Sequence, residues 1–345
     1  MKVRPARQDD NQRLCQIDLL CTQGKGLVFH YEREDFFLRP RLYDKWAVYV
    51  AEIGGVVAGS ISACVKDVRL DGSIVRIGYV FDWRVHPDYR LTRAAAALLQ
   101  AAREYLLQEG AQYAYTYVLG SNIVTMRMVQ KMDMFVAAAF KVFLLSALPT
   151  GGDVIRISDE EGLTDARERI EKHQSQYDLS EQTSLARRYG SPFSGAPFRG
   201  IFTLPGSSDV QGCLWDSSVL STKVVDNIPL LYRAMAIMPF PVRRLLGLPA
   251  LPEKGQPLRI HHIFDVAWDE EDTATAHKLI AGLRACAGYE GGQIVMCHLD
   301  ARDPLCAIVK RQAFYSLDGS LLLRTAIDGE KPPPLSRAYL DVRDF

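Results

Sequence analysis

The sequence lacks the marks of a secreted or nucleic-acid-binding protein. Its seven cysteines among 345 residues include no Cys-x-x-Cys pair, so we expect reduced thiols. Lysine and arginine together number 41, and aspartate and glutamate also number 41. A protein dedicated to nucleic acid usually has a basic excess, so this balance argues against one.

Long apolar runs and leader-type segments are also missing. No apolar run approaches membrane-spanning length, and the first residues lack the order of a signal peptide. The sequence contains neither Gly-x-Ser-x-Gly nor Gly-x-x-x-x-Gly-Lys, the motifs that anchor a serine hydrolase or a P-loop protein. We therefore expect a cytoplasmic protein with no membrane or nucleic-acid partner. The sequence leaves open whether it forms a homodimer.

What is present indicates an α/β protein with two domains. The chain is 48% hydrophobic and 24% charged, and its length allows two cores of ordinary size. The first half predicts a short strand, an amphipathic helix, two hairpins, an Ala-rich helix, a strand, a short helix and a closing strand. Turns that need positive φ are expected at Gly54-Gly55 and Asp71-Gly72.

The order of elements restarts after a Pro-Thr-Gly-Gly joint at 149–152. This repetition predicts an internal duplication, with domains over 1–148 and 153–345. The segment 238–258 interrupts the second copy with five prolines and could be a packed loop, a subunit contact or a cover over a cleft. The final AYLDVRDF is expected to be a terminal strand.

Two arginines lie where a strand gives way to a helix, in the segment VHPDYRLTRAAAALL. A helix start has unpaired N–H groups and the positive end of the dipole, so Arg90 and Arg93 are unfavourable there on their own. A bound pyrophosphate would remove the conflict. The alternative is a surface turn with solvated arginines.

The segments YVFDWRVHPDYRLTRAAAALL and YVLGSNIVTMRMVQKMDMF resemble the GNAT superfamily, the acyl-CoA-dependent N-acyltransferases. Val85, Pro87 and Arg90 match its acyl-CoA signature, although Leu91, Arg93 and Ala95 stand where the superfamily's turn normally has glycine. The resemblance covers about 1–148. It implies a mixed, mostly antiparallel sheet flanked by helices, and the restart suggests a degenerate second copy of that domain.

The resemblance also implies roles for individual residues. Asp82 would be the general base, with a strand-end salt bridge to Arg84 as the alternative, and N–H groups near Val85 would bind the thioester oxygen. Asn122 would contact the pantetheine arm or cap its helix. Acetyl-CoA would be the co-substrate, held by Val85, Arg90, Leu91, Thr92, Arg93, Ala94, Ala95, Asn122 and Thr125.

The proton donor for the leaving thiolate is the weakest part of this assignment. The superfamily's usual tyrosine aligns with Val129, which cannot donate a proton. Thr125, Tyr115, Tyr117 and water are the substitutes. In the same arrangement the segment 22–37 lines the acceptor pocket, which makes His30, Tyr31 and Glu32 candidates for contact with the amine.

The second copy differs at the corresponding turn, DVAWDEEDTATAHKL, which carries carboxylates and no lysine or arginine before its helix. Carboxylates suit a helix start but repel phosphate, so only the first turn should hold CoA. A metal site at His261-His262 is not expected, because neighbouring strand residues point to opposite faces.

We therefore expect an N-acetyltransferase that acts on a primary amine. Two alternatives stay open. One is a catalytically inactive GNAT-fold protein that binds acyl-CoA or regulates a partner. The other is an enzyme that uses a longer acyl donor.

Overall fold

The first half of the chain alternates strands and helices. The computed structural model describes residues 1–24, 27–120, 122–130, 134–149, 151–182, 197–228, 238–325 and 331–345. Its first elements are β1 (Lys2–Pro5), α1 (Asn11–Leu20), β2 (Val28–Glu32), β3 (Lys45–Ile53), β4 (Val56–Leu70), β5 (Ser73–Val85), α2 (Ala94–Gln108), β6 (Tyr113–Leu119), α3 (Ile123–Gln130) and β7 (Phe135–Ser146).

The second half follows a similar order, with one insertion. Its elements are β8 (Ile155–Arg156), α4 (Glu160–Gln174), β9 (Phe198–Thr203), β10 (Gln211–Asp216), β11 (Thr222–Asn227), α5 (Phe240–Leu245), β12 (Pro257–Leu258), β13 (Ile260–Ala267), α6 (Thr273–Tyr289), β14 (Ile294–Asp300), α7 (Leu305–Lys310) and β15 (Tyr315–Thr325). In the described part of the chain, no helix is long and apolar enough to cross a membrane.

Twelve strands form one sheet in the order β1-β3-β4-β5-β6-β15-β7-β14-β13-β10-β9-β8. The pairs β5–β6 and β13–β14 are parallel, and the other pairs are antiparallel. The expected mixed, mostly antiparallel sheet is confirmed.

Each half contributes its last strand to the other half. Strand β15 lies between β6 and β7, and β7 pairs with β14. One continuous sheet therefore runs through both predicted domains, and the division into 1–148 and 153–345 stays a prediction.

The expected hairpin turns are confirmed. Gly54 and Gly55 have φ angles of 61° and 80°, and Asp71 and Gly72 have 47° and 75°, the left-handed conformation that such two-residue turns require.

The expected terminal strand is wrong. Residues Val342–Asp344 form a 3-10 turn, and Asp341 accepts a hydrogen bond from the Arg343 backbone N–H at 2.9 Å. This local side-chain cap competes with strand pairing. Leu335 and Leu340 instead pack on a face of the sheet.

Helices cover both faces of the first half. Leu98, Ala102 and Leu106 of α2 are buried against Ala63 and other residues on one face. Leu14 and Ile17 of α1 pack with Val48 and Val50 on the opposite face.

Candidate active site

The first-half site begins where two parallel strands separate. Residues Ile77–Tyr79 of β5 pair with Tyr113–Tyr115 of β6. The pairing stops there, although β5 continues to Val85 and β6 to Leu119. A bulge explains the divergence. Asp82 has a φ of 46°, and the register between β4 and β5 shifts at this point. A bulge bends its strand, so β5 turns away from β6 and leaves a V-shaped opening, which we call the first gap.

A cavity of about 690 Å³ occupies the first gap and extends beneath the second half of the chain. On the side of α2 and α3 its wall includes Leu99, Leu106, Val118 and Val129. Another part of the wall, which we call the distal part, includes Tyr31, Tyr117, Leu144, Lys223, Leu258, Ile260, His262, Ile294, Met296, His298 and Phe345.

Asp82 lies in the cavity wall and is fully buried by its neighbours. Its two oxygens accept hydrogen bonds from Arg33 at 2.9 and 3.2 Å and from Arg39 at 3.1 Å. Burial alone would raise the pKa of this carboxyl, but the two guanidinium groups outweigh it and hold the pKa well below its ordinary value. Asp82 is therefore a weak proton acceptor.

Asp82 does form salt bridges, the alternative to a catalytic role, but its partners are Arg33 and Arg39 and not Arg84. Arg84 approaches Asp18 instead, at 3.3 Å. Asp18 also pairs with Arg33 at 2.9 Å, so two buried carboxylates and three guanidinium groups form one network beside the first gap. The direct-base role of Asp82 stays a prediction, which this network disfavours.

The basic bend lies on the surface next to the cavity. Arg90, Leu91, Thr92 and Arg93 are exposed, and within the described residues neither Arg90 nor Arg93 has a side-chain hydrogen bond or ion pair. The cavity wall includes Trp83 and Arg84, which directly precede Val85, but not residues 85–95 themselves.

The start of α2 has little capping of its own. Thr92 accepts a hydrogen bond from the Ala94 N–H at 3.2 Å through its hydroxyl, and Arg93 at the N-cap position provides no side-chain cap. Ala94 is buried and Ala95 half-buried. The exposed guanidinium groups of this bend thus lie beside a helix start with N–H groups available to an anion.

Asn122 and Thr125 border the cavity from α3. The Asn122 side chain accepts a hydrogen bond from the Thr125 N–H at 3.1 Å, which confirms the expected helix cap. Val129 is buried in the same wall, so the position aligned with the superfamily's tyrosine faces the cavity with an apolar side chain.

The two candidate tyrosines of β6 have different surroundings. The Tyr115 hydroxyl donates to Asp344 at 2.5 Å. The Tyr117 hydroxyl lies 3.3 Å from Nδ1 of His298 in the cavity wall. Burial raises the pKa of Tyr117, so its hydroxyl is protonated at neutral pH and available as a donor.

Of the three acceptor-site candidates on β2, Tyr31 lines the cavity. His30 points to Asp226, 2.8 Å from its Nδ1, and Glu32 is exposed. Strand β2 pairs with β11 in a separate three-stranded sheet with β12. That small sheet brings Lys223 of β11 to the cavity, a residue that the sequence reasoning missed because nothing in its neighbourhood marks it.

His262 and His298 also line the cavity. The neighbouring His261 instead faces Glu290, at 3.3 Å, so the pair does point to opposite faces. Within the described residues, no group of three histidine, cysteine or carboxylate side chains could hold a metal ion. Sequence reasoning dismissed His262 as a metal ligand and gave it no other role.

The second half has the same opening in its sheet, which we call the second gap. Strands β13 and β14 pair from Ile260–Ile263 to Ile294–Cys297, and Asp265 has a φ of 49°. The cavity there is about 50 Å³. Its walls include Tyr177, Ala338, Tyr339, Leu340 and Phe345, so the last segment of the chain fills this gap.

Comparisons with known proteins agree with this geometry. Residues 12–134 match the model of the acetyltransferase (GNAT) family. No curated protein matches the chain in sequence. Among solved structures, N-myristoyltransferase of Saccharomyces cerevisiae with bound myristoyl-CoA aligns at a TM-score of 0.64 and 12% identity, over 97% of this chain and 82% of that one.

A second similar structure, a GCN5-related N-acetyltransferase from Anabaena variabilis, aligns at a TM-score of 0.52 and 13% identity, over 94% of this chain and 73% of that one. At these identities the likeness shows the fold, which both proteins share with almost the whole chain.

Proposed function

We propose that this chain, whose residues 12–134 match the acetyltransferase (GNAT) family, transfers an acyl group from acyl-CoA to a primary amine. The observation that carries the proposal is the first gap: two parallel strands separate into a cavity of about 690 Å³, next to an arginine-bearing helix start that has little capping of its own. Cytoplasmic location and a homodimer stay predictions.

The residues around the first gap fit acyl-CoA. Arg90 and Arg93 would give charge-assisted hydrogen bonds to a pyrophosphate, and the N–H group of Ala95 would add to them. Exposed Leu91 and Thr92 leave the approach to these groups open. Asn122 and Thr125 would border the pantetheine arm on the cavity side.

The chain's own groups would assist the transfer. Backbone N–H groups near Val85, in the part of β5 that has left β6, would polarise the thioester carbonyl. Of the two candidate tyrosines of β6, Tyr117 lines the cavity, and we assign it the role of donating a proton to the leaving thiolate. Asp82 would hold Arg33 and Arg39 in place, or act as the base that the superfamily pattern implies.

The acyl group that we propose first is acetyl. A longer acyl chain is the second candidate, because the cavity is large and its distal part presents Leu144, Leu258, Ile260, Ile294 and Met296. The acceptor amine must also fit in this cavity, so the cavity volume alone does not decide between an acetyl group and a longer acyl chain.

Calorimetry and thiol release test the proposal together. Acetyl-CoA and a long-chain acyl-CoA should be compared for binding, and then for thiol release with a panel of primary amines. Binding with amine-dependent thiol release supports the enzyme. Binding with no release for any amine supports the inactive acyl-CoA-binding alternative, and absence of binding contradicts both.

A further inference from the structure

One cationic side chain in the distal part of the cavity lacks the partner that cations in this molecule usually have. Lys223 donates to the Ser217 hydroxyl at 3.3 Å and lies 5.5 Å from the centre of the Tyr31 ring. Within the described residues it forms no ion pair with a carboxylate. By contrast the buried Lys66 pairs with Asp344 at 2.9 Å.

The groups that face Lys223 make a charged amine unfavourable. Burial is the largest effect, and the positive charges of Arg39 and Arg33 act in the same direction, against a smaller opposing effect of Asp216. His262 and His298 also face it. Together these surroundings lower the pKa of Lys223 to about 8.

Acyl transfer to an amine needs a proton acceptor. An amine attacks a thioester only after it has lost a proton, so a proton acceptor must lie in the cavity. Asp82 is held by two arginines. Burial lowers the pKa of His298 to about 3 and that of His262 as well, which makes both imidazoles weak bases. A lysine that is partly neutral near pH 8 is the strongest base among these side chains.

We propose that Lys223, supplied by the second half of the chain, is the general base that receives a proton from the acceptor ammonium group. This inference rests on the proposed function. The neutral Lys223 amine takes one proton from R-NH3+, and the freed amine forms a bond to the thioester carbonyl carbon. The carbon–sulfur bond then breaks and the thiolate takes a proton from Tyr117. The nitrogen of the new amide gives up its remaining extra proton, which restores Tyr117, and Lys223 releases its own proton to water.

The test compares Lys223→Arg and Lys223→Met with the wild type, using an amine that the panel identifies. Arginine keeps the charge but does not lose its proton. Both variants should lose about 10²-fold or more in kcat, while affinity for acyl-CoA stays unchanged. Lys254→Arg, an exposed lysine in the turn before β12, is the matched control and should keep full activity.

The proton-acceptor role predicts two further results. In the wild type, kcat should rise with pH and level off above about pH 8 as Lys223 loses its proton, and Lys223→Arg should lack this limb. A fluorinated analogue of the amine, unprotonated at neutral pH, should restore much of the activity of Lys223→Arg. A binding or packing role for Lys223 predicts neither result.

The outcomes separate the two proposals. Wild-type turnover with unchanged kcat in Lys223→Arg would overturn the role of Lys223 and leave the proposed function intact. Wild-type inactivity with every amine would remove the proposed function and this inference with it. Competitive labelling by acetic anhydride gives an independent check: Lys223 should react with a midpoint near pH 8. A midpoint at the ordinary lysine value would also overturn the proposal.

Discussion

The first and second gaps use the same backbone device with opposite results. In each, two parallel strands separate beside an aspartate with positive φ, Asp82 or Asp265. The first gap opens into about 690 Å³, whereas the second retains about 50 Å³ because the last segment of the chain occupies it. The separation of the strands creates space, and the segments packed against it decide whether the space can hold a ligand.

The two aspartates show the same contrast. Asp82 is balanced by the guanidinium groups of Arg33 and Arg39. Asp265 accepts hydrogen bonds from Gln174 and from the Tyr339 hydroxyl, which are neutral groups. A backbone shape that recurs within one chain therefore lies beside a network of guanidinium groups in the first gap and beside the last segment of the chain in the second.

The largest expected effect separates the two aspartates. Asp82→Asn keeps the shape and tolerates positive φ, but it removes the carboxylate partner of Arg39 and leaves Arg33 with Asp18 alone, so it should cost about 3–5 kcal/mol of unfolding free energy. Asp265→Asn should cost about 1–2 kcal/mol, because it weakens the hydrogen bonds from two uncharged donors, Gln174 and Tyr339. Urea unfolding measures both, and equal losses would contradict the contrast.

The same pair predicts a pH dependence. Because the folded protein lowers the pKa of Asp82 below its ordinary 3.8, the stabilisation is complete above that pH and is lost as the pH falls toward the folded-state value. The acid-induced loss should be smaller in Asp82→Asn.

The second prediction concerns tryptophan substitutions that would fill the first gap or the second gap. Val118 and Leu299 occupy matching positions, since each lies five residues after the first paired residue of its strand, Tyr113 or Ile294. Val118→Trp should weaken acyl-CoA binding by at least about 100-fold, or about 2.8 kcal/mol. Leu299→Trp should leave the affinity unchanged. Calorimetry measures both, with circular dichroism to confirm folding, and similar affinities would place the acyl-CoA site elsewhere.

The third prediction compares the two turns that follow the gaps. Arg90→Ala combined with Arg93→Ala should weaken CoA binding about 10- to 100-fold, because two charge-assisted hydrogen bonds are lost. Glu271→Ala, which removes an exposed charge from the second turn, should have no effect. An unchanged dissociation constant in the double variant would mean that the bend does not bind the pyrophosphate.

The smallest expected effect compares two helix caps. Asn122 accepts from Thr125, and Asp272 accepts from Thr275 at 3.0 Å. Asn122→Ala and Asp272→Ala should each cost about 1 kcal/mol of stability. Only Asn122→Ala should also weaken CoA binding, and by less than the arginine variant. A loss of affinity in Asp272→Ala would indicate that the second half takes part in CoA binding.

Local patterns predicted local structure well. The Gly54-Gly55 and Asp71-Gly72 turns were recoverable because positive φ has few sequence solutions, and Asn122 because a cap bonds to a residue three positions away. The terminal AYLDVRDF was mistaken for a strand because its apolar spacing fits one, while its caps and its packing on a sheet face depend on other parts of the chain.

The sequence by itself determined the α/β class, the repeated order of elements and the contrast between a basic and an acidic turn, because each depends on residues close together in the chain. Only the tertiary structure decided that the last strands are exchanged, that the end of the chain fills the second gap, and that Lys223, His262 and His298 meet in one cavity. Those features depend on pairings between segments far apart in sequence, and no local pattern specifies which distant segment will cover a given surface.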